Sequence, residues 1–161
     1  MKSRLSLILF ILILVSCVEK HTSDNVTVLI NQFGNESFRY GNLKTWEPNK
    51  SEINFTEKFI KEIIINNITD YGVKEISINF NDYYYQFIPY LDKNNRKIIY
   101  VNSLCKDFVQ NPIQDLSSKD VEKEIEWKSH YFDVYDGGNC FWQVQVDIDK
   151  KEYFDFSVNG F

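Results

Sequence analysis

Histidine and cysteine are scarce in this chain: 161 residues contain two of the first and three of the second. His21 lies in a polar stretch near the amino terminus. His130 therefore has no second histidine with which to build a zinc site or a shared-base arrangement, and it is expected to be an interface or helix-end residue. The sequence has no G-x-S-x-G elbow, no phosphate-binding glycine loop and no H-E-x-x-H. The carboxylates Asp147, Asp149 and Glu152 have a calcium-like spacing, but the glycine and the remaining ligands of an EF-hand are missing. Cofactors and metals are therefore not expected, and neither is an enzyme. The apolar segment Leu5 to Val15, eleven residues interrupted by Ser6, is too short to span a bilayer comfortably. No internal repeat or low-complexity run appears.

That apolar segment follows Lys2 and Arg4, which is a signal-peptide layout. It ends in Leu14-Val15-Ser16-Cys17, which resembles the lipobox of bacterial lipoproteins. The resemblance implies cleavage before Cys17, a thioether-linked diacylglycerol on its sulfur and an acylated amino terminus. Two or three acyl chains anchor stably where one is marginal. The chain is thus expected to divide into a signal peptide (1–16), a lipidated tether (17–25) and a single α+β domain (26–161). Its expected place is the cell envelope, anchored to the outer membrane on its periplasmic or surface side. Cleavage removes Lys2 and Arg4, so that 18 basic against 23 acidic residues become 16 against 23, a net of −7. Such a balance argues against nucleic acid or an anionic membrane surface as the ligand.

With Cys17 used for lipid, Cys105 and Cys140 are expected to form a disulfide worth roughly 3–4 kcal/mol, the alternative being two separate buried thiols. That pairing leaves no thiol for a nucleophile beside His130. Val26 to Ile30 reads as a first, peripheral strand, and residues 31–49 read mainly as loop, with Trp46 as a plug at the helix entrance. From Ser51 the recurrence of Ile53, Ile60 and Ile64, with Phe59 and Ile63 beside them, predicts a long amphipathic helix closing near Gly72. Alternation predicts strands over Ile76–Phe80, Tyr83–Leu91 and Lys97–Cys105. Residues 106–116 read as irregular, and a short helix capped by Ser117 or Ser118 follows, with Val121, Ile125 and Trp127 as its buried contacts. The carboxyl-terminal hairpin sets Trp142, Val144, Val146 and Ile148 on one face, with Phe154, Phe156 and Val158 along its second strand. Phe141, Gln143, Gln145 and Asp147 are expected on the wetter face. The expected architecture is an antiparallel sheet of about five strands, one long helix packed on one face, and a second short helix.

Aromatic content, at 16%, stands above background. Tyr83, Tyr85 and Phe87 share one strand face, and Tyr84, Ile88 and Tyr90 share the other. If helices cover only one face, the first row is a possible binding face for a protein partner in the envelope. The alternative is that loops 31–49 and 106–118 cap it. The alternative function is a small-ligand binding or hydrolytic accessory lipoprotein, with a carbohydrate the natural ligand, gathered by aromatic rings and acids such as Asp133, Asp136, Asp147 and Asp155.

Three stretches resemble an uncharacterised lipoprotein family of Bacteroidetes-type bacteria. They are Thr45-Trp46-Glu47-Pro48, the run from Tyr85-Gln86-Phe87-Ile88-Pro89-Tyr90 to Lys97-Ile98-Ile99-Tyr100-Val101-Asn102, and Asp136-Gly137-Gly138-Asn139-Cys140-Phe141 ending in Ser157-Val158-Asn159-Gly160. The resemblance implies a lipoprotein with one compact domain and carries no activity.

Overall fold

The computed structural model describes residues 23–30, 43–67, 76, 79–110, 126–134 and 137–159. The signal peptide, Cys17, the expected helix end near Gly72 and the expected helix after Ser117 lie outside them. The architecture is α+β, with strands β1 (Val26–Val28), β2 (Lys44–Thr45), β3 (Tyr83–Leu91), β4 (Lys97–Cys105), β5 (Phe141–Asp147) and β6 (Glu152–Val158). They form one six-stranded sheet in the order β1-β3-β4-β5-β6, with β2 also on β3. Helix α1 spans Lys50–Asn67 and the short α2 spans Lys106–Gln110.

Helix α1 begins where its cap is. Asn49 Oδ1 accepts from Glu52 N–H at 3.0 Å while Glu52 Oε2 accepts from Asn49 N–H at 2.7 Å, a reciprocal capping pair that satisfies donors the helix cannot. Its buried stripe is Ile53, Ile60, Ile63 and Ile64. These side chains share a core with Tyr83, Tyr85 and Phe87 of β3, Ile99 and Val101 of β4, and Trp142, Val144 and Val146 of β5.

The structure corrects several expectations. Strand β1 runs parallel to β3, with Val26 opposite Tyr85, so the sheet is mixed. The connection between them includes all of α1, long enough for the crossover that parallel pairing requires. Phe80–Asp82 is a 3₁₀ turn and not the end of a strand. It forms because Asn79 Oδ1 accepts from Asn81 N–H at 3.1 Å, closing the backbone locally. Residues 106–110, read as irregular, are helical.

The last hairpin carries a β-bulge. Pairing shifts between Gln143 and Gln145, and Asp155 takes a left-handed φ of 52°. The extra residue reverses the parity of the strand beyond it. Phe156 and Val158 pack with the α1 core, whereas Phe154 turns to the opposite sheet face beside Tyr90 and Ile98. That opposite face is not the wet one expected for β5, since Gln145 and Asp147 are 2% and 1% exposed. Both faces of the sheet are covered.

Replacing Asn49 with Ala should cost about 1 kcal/mol of stability in urea denaturation, because the Oδ1 arm of the cap is lost and the Glu52 N–H is left without its acceptor. An unchanged midpoint would mean that the cap contributes nothing.

Candidate functional site on the second sheet face

The row expected to bind a partner is in the core. Tyr83, Tyr85 and Phe87 are 4%, 0% and 0% exposed beneath α1. Tyr85 stacks on Phe80 at 4.3 Å and donates its hydroxyl to Phe80 O at 3.2 Å; Tyr83 donates to Asn139 O at 3.1 Å. Trp142 meets both tyrosine rings edge-on. Burial above all, then Tyr83 and Asp82 nearby, pushes the Tyr85 phenol well above its ordinary pKa. These groups hold the fold together and offer no surface.

The opposite face is organised by amides. Strand register aligns Gln86, Asn102, Gln143 and Ser157 in one row across four strands. The irregular segment 126–134 crosses this row. Its carbonyls have no ladder to join, and the buried amides supply the donors instead. Gln86 Nε2 donates to Trp127 O at 2.7 Å and His130 O at 2.6 Å, while Asn102 Nδ2 donates to Phe132 O at 2.8 Å and Gln86 Oε1 at 2.9 Å. Gln86 and Asn102 are 0% and 1% exposed. Trp127 is the buried anchor of the crossing segment and packs near Leu104, Val109 and Phe141.

Towards β6 the cover thins. Tyr100, Tyr131 and Phe154 are half-buried there. The rings of Tyr100 and Tyr131 meet edge-on at 6.3 Å. Tyr100, Gln145 and Phe154 are register neighbours, and the next row is Gln143 and Ser157, bridged at 3.2 Å. Beneath them Gln145 accepts from the Tyr90 hydroxyl and donates Nε2 to Asp155 Oδ2 at 2.7 Å. This contact fixes Asp155, itself exposed, on the bulge. The result is a half-open surface of three aromatic rings rimmed by an amide, a carboxylate and a hydroxyl.

The other expected acids are used elsewhere. Asp147 is buried and accepts from Arg96 Nη1 at 2.9 Å and from the backbone N–H groups of Asp149 and Lys150 at 3.1 and 3.0 Å. Asp149 accepts from Lys97 N–H at 3.2 Å, and Glu152 is exposed. One oxygen of Asp133 is buried without a hydrogen-bond partner among the described residues, and Asp136 lies outside them. Among the described residues no group of acids, histidines and cysteines is spaced to hold a metal ion.

Glu126, Ser129 and His130 gather into a set that looks catalytic by composition. Ser129 Oγ lies 2.9 Å and Glu126 Oε2 3.2 Å from the same ring nitrogen, His130 Nδ1. A nucleophile-to-base-to-acid relay needs the two partners on different nitrogens. This is an exposed turn cluster. Cys105 and Cys140 stand at disulfide distance, with Cα atoms 4.7 Å apart, and join the end of β4 to the turn before β5.

The chain finds no match among family models, curated proteins or solved structures. The resemblance to envelope lipoproteins therefore rests on the sequence stretches alone. One of them spans the paired strands β3 and β4, and another leads into β5. Among the described residues no helix is long and apolar enough to cross a membrane.

Tyr83, Tyr85 and Phe87, a possible binding face from the sequence, are buried as the capped alternative requires, though α1 covers them, and Gln86, Asn102 and Tyr131 were passed over. A usable signal was present: two amide side chains, Gln86 and Asn102, inside otherwise apolar strands. Buried amides in a sheet interior need partners, and so point to backbone lying across them.

Two measurements follow. Gln86→Leu should cost about 1–3 kcal/mol by stranding the carbonyls of Trp127 and His130. Amide exchange should then rise within 126–134 first, and uniform exchange would show that the amide does not hold the segment. Asp92 supplies the second. Burial alone would raise its carboxyl, but Arg96 N–H, the Arg96 guanidinium and Asn94 N–H outweigh that and hold it below its ordinary value of 3.8. A depressed folded pKa contributes stability that is full above the unfolded value and is lost as pH falls through the folded one. The urea midpoint of the parent should therefore exceed that of Asp92→Asn at neutral pH, with the gap closing only below 3.8. A gap independent of pH would refute the assignment.

Proposed function

We propose that this chain is a lipid-anchored binding module of the bacterial cell envelope, without catalytic activity, that engages a protein partner through the half-open second sheet face. The anchor reading comes from the Leu14-Val15-Ser16-Cys17 sequence. The observation that carries the binding reading is the half-buried set of Tyr100 and Phe154 on the sheet and Tyr131 on the segment that crosses it, rimmed by Gln143, Asp155 and Ser157. Aromatic side chains dominate protein-contact energetics because they offer large apolar area at low entropic cost, and a polar rim supplies specificity. Sheet positions hold Tyr100 and Phe154 in place before a partner arrives, and the edge-on contact with Tyr100 positions Tyr131, which lowers the ordering cost of association.

A carbohydrate is the second reading. One observation favours it: the exposed Asp155 carboxylate stands beside Phe154 and is oriented by Gln145, an arrangement that suits ring stacking with hydroxyl recognition.

Affinity capture from envelope extract of the same bacterium separates the readings, with the mature domain carrying Cys17→Ala as bait and a Tyr131→Ser/Phe154→Ser variant as control. Loss of at least about 1–2 kcal/mol of affinity, or roughly tenfold or more, in a variant whose urea midpoint still shows a folded domain supports the protein reading. A glycan retained by the parent and lost by the variant supports the second. Equal capture by parent and variant moves the binding surface away from this face.

A further inference from the structure

We infer that the domain stands on the membrane in one orientation, with the Cys105–Cys140 end of the sheet towards the bilayer and both hairpin tips away from it. The partner in this inference is the phospholipid surface that holds Cys17, so it rests on the lipid-anchor reading above.

The argument begins where the chain first docks. Ser23 Oγ donates to Glu57 Oε2 at 2.6 Å, and Ser23 O accepts from Val26 N–H at 2.9 Å. Asn25 Nδ2 donates to Phe80 O at 3.2 Å and to Tyr83 O at 2.9 Å, while Asn25 O accepts from Tyr85 N–H at 2.8 Å. Residues 23–25, expected as tether, thus already belong to the domain. The chain is fixed to α1 and to the start of β3 from Ser23 onward.

Six residue steps separate Cys17 from Ser23, and whatever path they take they cannot span more than about 21 Å. The parallel pairing of β1 with β3 puts the docking point at the end of the sheet where β3 begins, β4 ends at Cys105 and β5 follows Cys140. The loops Asp92–Arg96 and Ile148–Lys151 lie at the other end. They are tied together, because Arg96 bonds Asp92 in its own loop at 2.8 Å and Asp147, just before the second loop, at 2.9 Å. Nine-residue β3 separates the two ends by about 27 Å. An inverted domain would need its docking point that far above the bilayer, more than the leash allows. Charge does not enter: a net of −7 on the mature chain gives no attraction to an anionic surface.

The test uses the full lipidated chain, purified from membranes of the expressing bacterium with its disulfide intact and reconstituted in phosphatidylcholine vesicles. Asn81→Cys, in the turn before β3, and Asn94→Cys, at a hairpin tip, each receive a thiol-reactive fluorophore. Both positions are exposed. Phosphatidylcholine with a headgroup nitroxide, a contact-range quencher, should quench the label at 81 several-fold more than the label at 94. Lengthening the leash with a Gly/Ser insert after Lys20 should erase the difference. Equal quenching at both positions, or stronger quenching at 94, overturns the orientation. Mass spectrometry of the amino-terminal peptide is read separately. A peptide without acyl mass on Cys17 overturns the anchor, and the orientation with it, whereas acylation with equal quenching overturns the orientation alone.

Discussion

The hydrogen bonds of Gln86 and Asn102 to the backbone of residues 127–132 are the interaction on which the architecture turns. A sheet with both faces buried normally has regular elements on each side, because helices satisfy their own backbone. Among the described residues α1 supplies that on one side. The other side is closed by the short α2 at one end and by the irregular segment 126–134, whose carbonyls would be costly to bury unpaired. Two amides of the sheet make that closure possible, with Trp127 as its apolar anchor. Apolar residues at both positions would leave the sheet without donors for the crossing backbone.

The two ends of the sheet are secured by different chemistry. At the tip end Arg96 and Asp147 tie the β3–β4 loop to the β5–β6 turn, and a buried carboxylate is tolerated there because two backbone N–H groups and a guanidinium surround it. At the other end Cys105 and Cys140 bring β4 and the turn before β5 together, next to Tyr83 and its contact with Asn139. Sheet geometry is therefore constrained at both extremes, and aromatic rings placed between them keep their positions. This stiffness makes the half-open surface near β6 suitable for recognition.

The bulge at Asp155 links packing to that surface. By reversing the parity of β6 it sends Phe156 to the α1 core and Phe154 to the opposite face, where Tyr100 and Tyr131 are partly open. The same bulge bends the outer strand of the sheet, a device that discourages edge-to-edge pairing. Gln145, held by Tyr90 from below, keeps the bulged residue in its left-handed conformation through Asp155.

What was legible in the sequence was local. The α1 stripe, the alternation of β3 to β5 and the Cys105–Cys140 pair follow from side-chain period and from counting thiols, and each lies where it was expected. Alternation reports that a strand has two faces. It does not report which face a helix covers, nor that a segment without periodicity covers the other, so Tyr83, Tyr85 and Phe87 stood as a possible surface and Gln145 and Asp147 read as wet. Nor can a period-two count register an inserted residue, which is why Phe154 was assigned to the side of Phe156. Parallel pairing of β1 was hidden for a related reason: three residues carry little pattern, and their direction is set by the crossover through α1. The sequence by itself determined the long elements α1, β3, β4 and β5 and the disulfide pair. Tertiary structure decided which side of the sheet meets solvent, because burial depends on what lies across a strand and not on the strand alone.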